Sequence, residues 1–150
     1  MFYTVFGGKK TFTLLFSLFD SRLFVLVFGM RNFRDLLVWQ KGFQIVQLVY
    51  RISSGFPREE KFGLAQQMNR ASISIVSNIA EGCSRRSTKD FNRFLGIALG
   101  SVFELETQLL LANSLSYSDP ALIQEALSLV IEEEKMLVVF SRSLQKPSSF

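Results

Sequence analysis

Two runs between residues 62 and 114 constrain this chain more than any other stretch. In the first, Leu64, Met68, Ala71, Ile75, Asn78 and Gly82 recur in alternating steps of four and three. In the second, Phe91, Leu95, Ala98, Val102, Leu105, Leu109 and Ala112 keep the same rhythm over three repeats. That spacing places each set on one side of an α-helix, whereas a strand would need a period of two. It predicts helices over 62–81 and 88–114, joined by the short basic loop GCSRRSTKD. Gly82 can close the first helix, and Ser87 with Asp90 forms a capping box for the second.

Polar residues interrupt these seams in an ordered way. Asn78 sits in the main seam of the first helix, and Gln67, Arg70, Ser74, Ser77 and Glu81 form a wholly polar stripe beside it. A further seam is Asn69, Ile73, Val76 and Ala80. On the second helix the row Phe94, Ile97, Ser101, Glu104, Gln108 and Leu111 turns polar in its middle. Single polar residues in apolar seams fix helix register. Asn78, Glu81, Ser101 and Glu104 are therefore expected to be structural polar residues. Gly96 and Gly100 lie four apart, each costing ~1 kcal/mol against alanine in a helix. Close approach of a neighbouring helix is the expected compensation.

The flanks supply two more helices. Residues 35–53 carry Leu36, Trp39, Phe43, Val46 and Tyr50 on one stripe and Val38, Ile45, Val49 and Ile52 on another, with Asn32 or Asp35 as cap. Ser53-Ser54-Gly55 and then Phe56-Pro57 stop this helix. Pro57 starts a turn that sets Glu59 and Glu60 near the positive end of the next helix. Asp119-Pro120 opens a last helix running to about residue 144. Leu122, Ala126, Leu129, Met136 and Phe140 share one of its faces, and Ile123, Leu127, Val130 and Leu137 another. The charge run Glu132–Glu134 reads as a solvated face. Four amphipathic helices on short turns predict an all-α, antiparallel up-down-up-down four-helix bundle over residues 30–146. Residues 147–150 read as a disordered tail.

Residues 1–29 do not match that plan. They hold seven of the 16 phenylalanines, in apolar runs split by Asp20-Ser21-Arg22. Neither run reaches the ~20 residues a membrane span needs. Lys9 and Lys10 precede an apolar stretch as in a signal peptide, but no small-residue cleavage site follows. The favoured reading is translated upstream sequence, with Met30 as the true start and a cytoplasmic protein.

Composition narrows the chemistry. The chain has no histidine, which removes the commonest general base and metal ligand. Its one cysteine, Cys83, cannot pair within the chain. A thiolate at Cys83 beside Arg85 and Arg86 has no partner base in sight. Di-metal sites in helical bundles combine carboxylates with Glu-x-x-His, so Glu81, Glu104 and Glu106 alone make an incomplete set. No catalytic residue, metal site or cofactor is expected, and no enzyme. The charge is asymmetric. Residues 30–97 hold eleven Lys/Arg against five Asp/Glu, and residues 98–150 hold three against seven. Such a split favours an anionic partner or head-to-tail self-association.

DLLVWQKG, FPREEKFGLAQQMNRASISIVSNIAEG and FLGIALGSVFELETQLLLA resemble the bacterial four-helix bundle proteins encoded within intervening sequences of 23S ribosomal RNA genes. The likeness covers residues 30–144, and NIAEG (78–82) and GSVFELE (100–106) are its most specific parts. It implies a small all-α bundle assembled into a homopentameric ring. A similar protein is the accessory subunit of the reverse transcriptase of diversity-generating retroelements, where a basic surface is thought to meet nucleic acid. The resemblance carries over no catalytic residue. Arg70 matches a basic position of the family's second helix, and the loop arginines match a basic but variable region.

The expected function is thus non-enzymatic binding of RNA or DNA by an oligomer, through Arg85, Arg86, Lys89 and Arg93 around the loop, with Arg70 extending the patch. A scaffold for another protein, or an accessory subunit of a nucleic-acid enzyme, is the alternative. No membrane partner is expected.

Overall fold

Each long helix forms where the three-and-four spacing runs and ends where the sequence removes a helical option. In the computed structural model, which describes residues 32–145, these are α1 (Leu37–Ser53), α2 (Leu64–Cys83), α3 (Thr88–Ser114) and α4 (Pro120–Gln145). The expectations for residues 1–29 and 147–150 lie outside the described residues. Before α1 a 3-10 turn, Phe33–Asp35, is capped by the Asn32 side chain, which accepts from the Arg34 amide. Asp35 caps nothing in α1; Leu36 is extended and α1 begins one residue later without a side-chain cap.

A second 3-10 turn, Arg58–Phe62, follows Pro57. Glu60 folds back so that its Oε2 accepts from the Leu64 amide at 2.9 Å, satisfying one of the orphan donors at the start of α2. The capping box of α3 forms as the sequence indicates: Ser87 Oγ accepts from the Asp90 amide at 3.0 Å and donates to Asp90 Oδ2 at 2.6 Å. At α4, Asp119 Oδ1 accepts from the Ala121 amide at 2.8 Å. The turn between α3 and α4 is closed by Ser116 in the left-handed region (φ 55) and by a bond from the Tyr117 amide to the Ala112 carbonyl. That pattern satisfies the last carbonyls of α3.

Each helix packs on its chain neighbours, and α1 packs on α4, giving an antiparallel four-helix bundle. Antiparallel register is visible in the cross-links. Ser53 reaches Asn69 while Gly42 faces Val76; Ser74 reaches Ser101 while Gly82 faces Phe91. The core of α3 is the predicted seam, Phe91, Leu95, Ala98, Val102, Leu105, Leu109 and Ala112, all essentially inaccessible to solvent. In α1 the core is the stripe Val38, Ile45, Val49 and Ile52 with Leu48. The other stripe is split: Leu36 and Trp39 are half-buried against the edge of the core, while Phe43 and Tyr50 are exposed, with Trp39 stacked on Phe43 at 5.3 Å between ring centroids.

Three packing expectations are corrected. Gly82 is not the end of α2, which runs on to Cys83 with Ser84 as its cap. A Cβ on Gly82 would lie 2.6 Å from the Phe91 ring and 2.9 Å from Phe94 Cβ, so this glycine lets α3 seat against α2. Gly96 and Gly100 do the opposite of what their spacing suggests, because a Cβ on either would meet nothing within 4 Å. They lie on the outer face of α3. Glu133 is not solvated: it is fully buried in the core seam of α4.

Candidate nucleic-acid interface

The basic loop lies at the end of the bundle where α2 passes into α3. Arg86, Lys89 and Arg93 are exposed there and make no ion pair among the described residues. Lys89 and Arg93 are one helical turn apart and share a face of α3. Asp90, the nearby carboxylate, is engaged with Ser87. Arg85 differs from its neighbours. It pairs with Glu81 one turn earlier, and its guanidinium lies 4.6 Å from the centroid of the Phe94 ring. Glu81, expected to be structural, is exposed and serves mainly to hold Arg85.

Arg70 stands apart from this patch. Twelve helical steps separate it from Gly82, about 18 Å along the axis. It lines an open groove of about 480 Å³ between α1 and α2 near the Arg58–Phe62 turn, with Tyr50, Lys61, Phe62 and Ile73. The structure thus divides the expected basic residues into a loop cluster at one end of α2 and Arg70 toward the other.

The polar residues inside the seams form a defined chain between α2 and α3. Asn78 Nδ2 donates to the Ser74 carbonyl at 2.8 Å and to Ser74 Oγ at 3.1 Å. Ser74 Oγ and Ser101 Oγ lie 2.8 Å apart, and Ser101 Oγ donates to the Ile97 carbonyl at 3.1 Å. One direction satisfies all of these contacts: Asn78 donates to Ser74, Ser74 to Ser101, and Ser101 to the backbone. Every hydroxyl proton is used within the protein, which suits a register lock rather than a ligand contact. Glu104 is exposed and accepts from Gln108 Nε2 at 3.1 Å. Cys83 is buried in the core cluster, out of reach of solvent oxidants or electrophiles.

Glu133 is the polar residue that sequence reasoning missed. Neither carboxyl oxygen has a hydrogen-bond partner among the described residues. Burial pushes its pKa up from 4.5 to about 8; Lys41 opposes that rise, and Glu132 adds to it. The signal was present in the spacing, since Ala126, Val130, Glu133 and Leu137 advance by four, three and four. Among the described residues no group of three or more carboxylate or cysteine side chains is placed to hold a metal ion.

Three comparisons bear on this arrangement. The family model described as 23S rRNA-intervening sequence protein matches residues 34–139. A crystal structure of a protein of unknown function from the S23 ribosomal protein family of Bacteroides thetaiotaomicron shares the fold. Its TM-score is 0.64 at 24% identity, covering 71% of this chain and 99% of that one. No curated protein matches the chain.

Proposed function

The chain belongs to the 23S rRNA-intervening sequence protein family, and from that premise we propose that it is a non-enzymatic, oligomeric helical bundle that binds nucleic acid through a basic surface. The observation that carries this reading is the cluster Arg86, Lys89 and Arg93. Three exposed cations stand at one end of the bundle, with the nearby carboxylates committed elsewhere. Cations already paired within a protein gain little from a phosphate; unpaired ones release its condensed counterions. Repetition of the cluster around a homopentameric ring, the assembly implied by the resemblance, would multiply weak interactions by raising their effective concentration.

The loop arginines do not contribute equally in this reading. Arg85 must give up Glu81 and Phe94 before it can meet a phosphate, so Arg86 and the α3 pair do more. Affinity for RNA is expected to fall steeply with salt. In Arg86→Ala/Lys89→Ala/Arg93→Ala the slope of log affinity against log salt should shrink by about one for each phosphate that is no longer neutralised. Arg85→Ala should change it less. An affinity indifferent to salt and to the triple substitution overturns the reading.

A second reading, a scaffold for another protein or for a nucleic-acid enzyme, is favoured by the outer face of α3. There Ile97, Phe103, Leu110 and Leu111 are exposed beside the two open glycines.

A further inference from the structure

The groove between α1 and α2 combines features that the basic loop lacks. Its walls carry two aromatic rings open to solvent: Tyr50 is 47% exposed and Phe62 is 78% exposed. Lys61 and Arg70 flank these rings, and Lys61 Nζ lies 5.5 Å from the Phe62 centroid. Asn69 is oriented rather than idle. Its Oδ1 accepts from Ser53 Oγ at 2.9 Å, which leaves Nδ2 as the donor end of the amide. A neighbouring hollow of about 380 Å³ shares Tyr50, Lys61 and Asn69 with the first and adds Arg58. No carboxylate lines either hollow.

Cations, amide donors and flat aromatic faces, with no carboxylate among them, define a narrow ligand chemistry. Phosphate oxygens satisfy the cations and the amide, and an unpaired base has the π-face that Tyr50 and Phe62 can cover. Paired bases offer no such face, because they are stacked inside the duplex. An acidic peptide would answer the charges and leave the rings bare. The volume of the larger hollow falls in the range of about 300–1,000 Å³ typical of small-ligand sites. Two hollows meeting at Tyr50 give room for successive nucleotides on either side of one ring.

We propose that this groove is a binding site for single-stranded nucleic acid, in which bases stack on Tyr50 and Phe62 while Lys61, Arg70 and Arg58 hold the phosphates. The proposal deepens the nucleic-acid reading above and rests on it. It adds a site at the opposite end of α2 from the loop and assigns it the unpaired strand. Arg70 thereby acquires a role that its distance from the loop denies it.

The experiment uses the full chain, a fluorescently labelled unstructured oligouridylate and a labelled RNA hairpin of equal length, with binding followed by anisotropy at low salt. Tyr50→Ala and Phe62→Ala are each expected to weaken oligouridylate binding roughly ten-fold and to leave hairpin binding within about two-fold. Tyr50→Phe, which keeps the ring, should bind like the parent. Both positions are on the surface, so unchanged circular dichroism confirms that the variants fold. Oligouridylate binding that depends on Arg86, Lys89 and Arg93 but not on Tyr50 or Phe62 overturns the groove and leaves the loop reading standing. A parent protein that binds neither probe overturns both. A polyglutamate peptide that competes as well as unlabelled oligouridylate overturns the assignment to nucleic acid.

Discussion

A buried carboxyl group without a hydrogen-bond partner is among the costlier things a small bundle can contain, and Glu133 is one. It survives by staying protonated. In the unfolded chain it ionises near 4.5, whereas in the bundle it does so at about 8, chiefly because burial disfavours the charge. Between those values the folded state holds one more proton than the unfolded state. Stability is therefore highest below the lower value, falls as pH rises through the window and levels off above 8. A shift of this size corresponds to a total loss on the order of 5 kcal/mol. The chain has no histidine, so no other side chain has its ordinary pKa between 5.5 and 8, and the slope should be cleanly visible. Urea unfolding is expected to show the parent losing several kcal/mol between pH 5.5 and pH 8, with Glu133→Gln nearly flat across that range. Equal slopes in the two proteins would exclude Glu133 as the source.

At the scale of the helix, spacing tells which side chains share a face but not which of two faces meets the core. That limit accounts for what the sequence disclosed. The seam of α3 was legible because Phe91 through Ala112 is apolar at every position, whereas the rows beside it are interrupted by glycine or polar residues. In α1 two stripes competed, and Phe43 and Tyr50 of the aromatic one turned outward because α2 and α4 meet the side bearing Gly42, Ile45 and Val49. The glycines show the same limit. Gly82, Gly96 and Gly100 look alike in the sequence, yet only the first faces another helix closely, against the Phe91 ring. The candidate site was half legible: the loop cations were visible, but the Glu81 partner of Arg85 and the groove around Arg70 depend on how helices face one another. The contrast among the glycines can be measured. Gly82→Ala must displace Phe91 or the α2–α3 spacing, and overpacking of this kind costs about 1–3 kcal/mol, more than the ~1 kcal/mol of helix propensity it gains. Gly96→Ala meets open space and keeps the propensity gain. At concentrations where the protein is a single chain, thermal unfolding should rank Gly96→Ala above the parent and Gly82→Ala below it, and the reverse order would refute the packing assignment.

Among the described residues, the outer face of α3 is an apolar surface that the bundle itself does not use. On the outer face of α3, Gly96, Gly100, Phe103, Thr107 and Leu110 advance by four, three, four and three, so they form a second seam beside the core seam of the same helix. Phe103 and Leu110 are about half exposed, as is the adjacent Leu111. By length and composition alone Thr88–Ser114 resembles a membrane span, as the core helix of a bundle also can. A heptad seam with small residues at one end and large ones at the other fits a helix from another subunit, since glycines admit a close backbone and Phe103 and Leu110 supply area to bury. The charges on the helix suit a second copy of this chain, with Lys89 and Arg93 near its start and Glu104 and Glu106 past its middle. Light scattering should then report a particle several times the 17.1 kDa chain, five times if the ring implied by the family resemblance forms. Phe103→Glu places a charge in the seam and should reduce the particle to single chains with helical content unchanged. Gly100→Ala separates the two roles this face can have: in an isolated bundle it only gains helix propensity, whereas in an interface it pushes the partner helix away and weakens assembly as the monomer becomes more stable. A parent protein that runs as a single chain at all concentrations would remove the ring, and with it the multiplication of weak phosphate interactions, leaving each bundle to bind with its own cations alone.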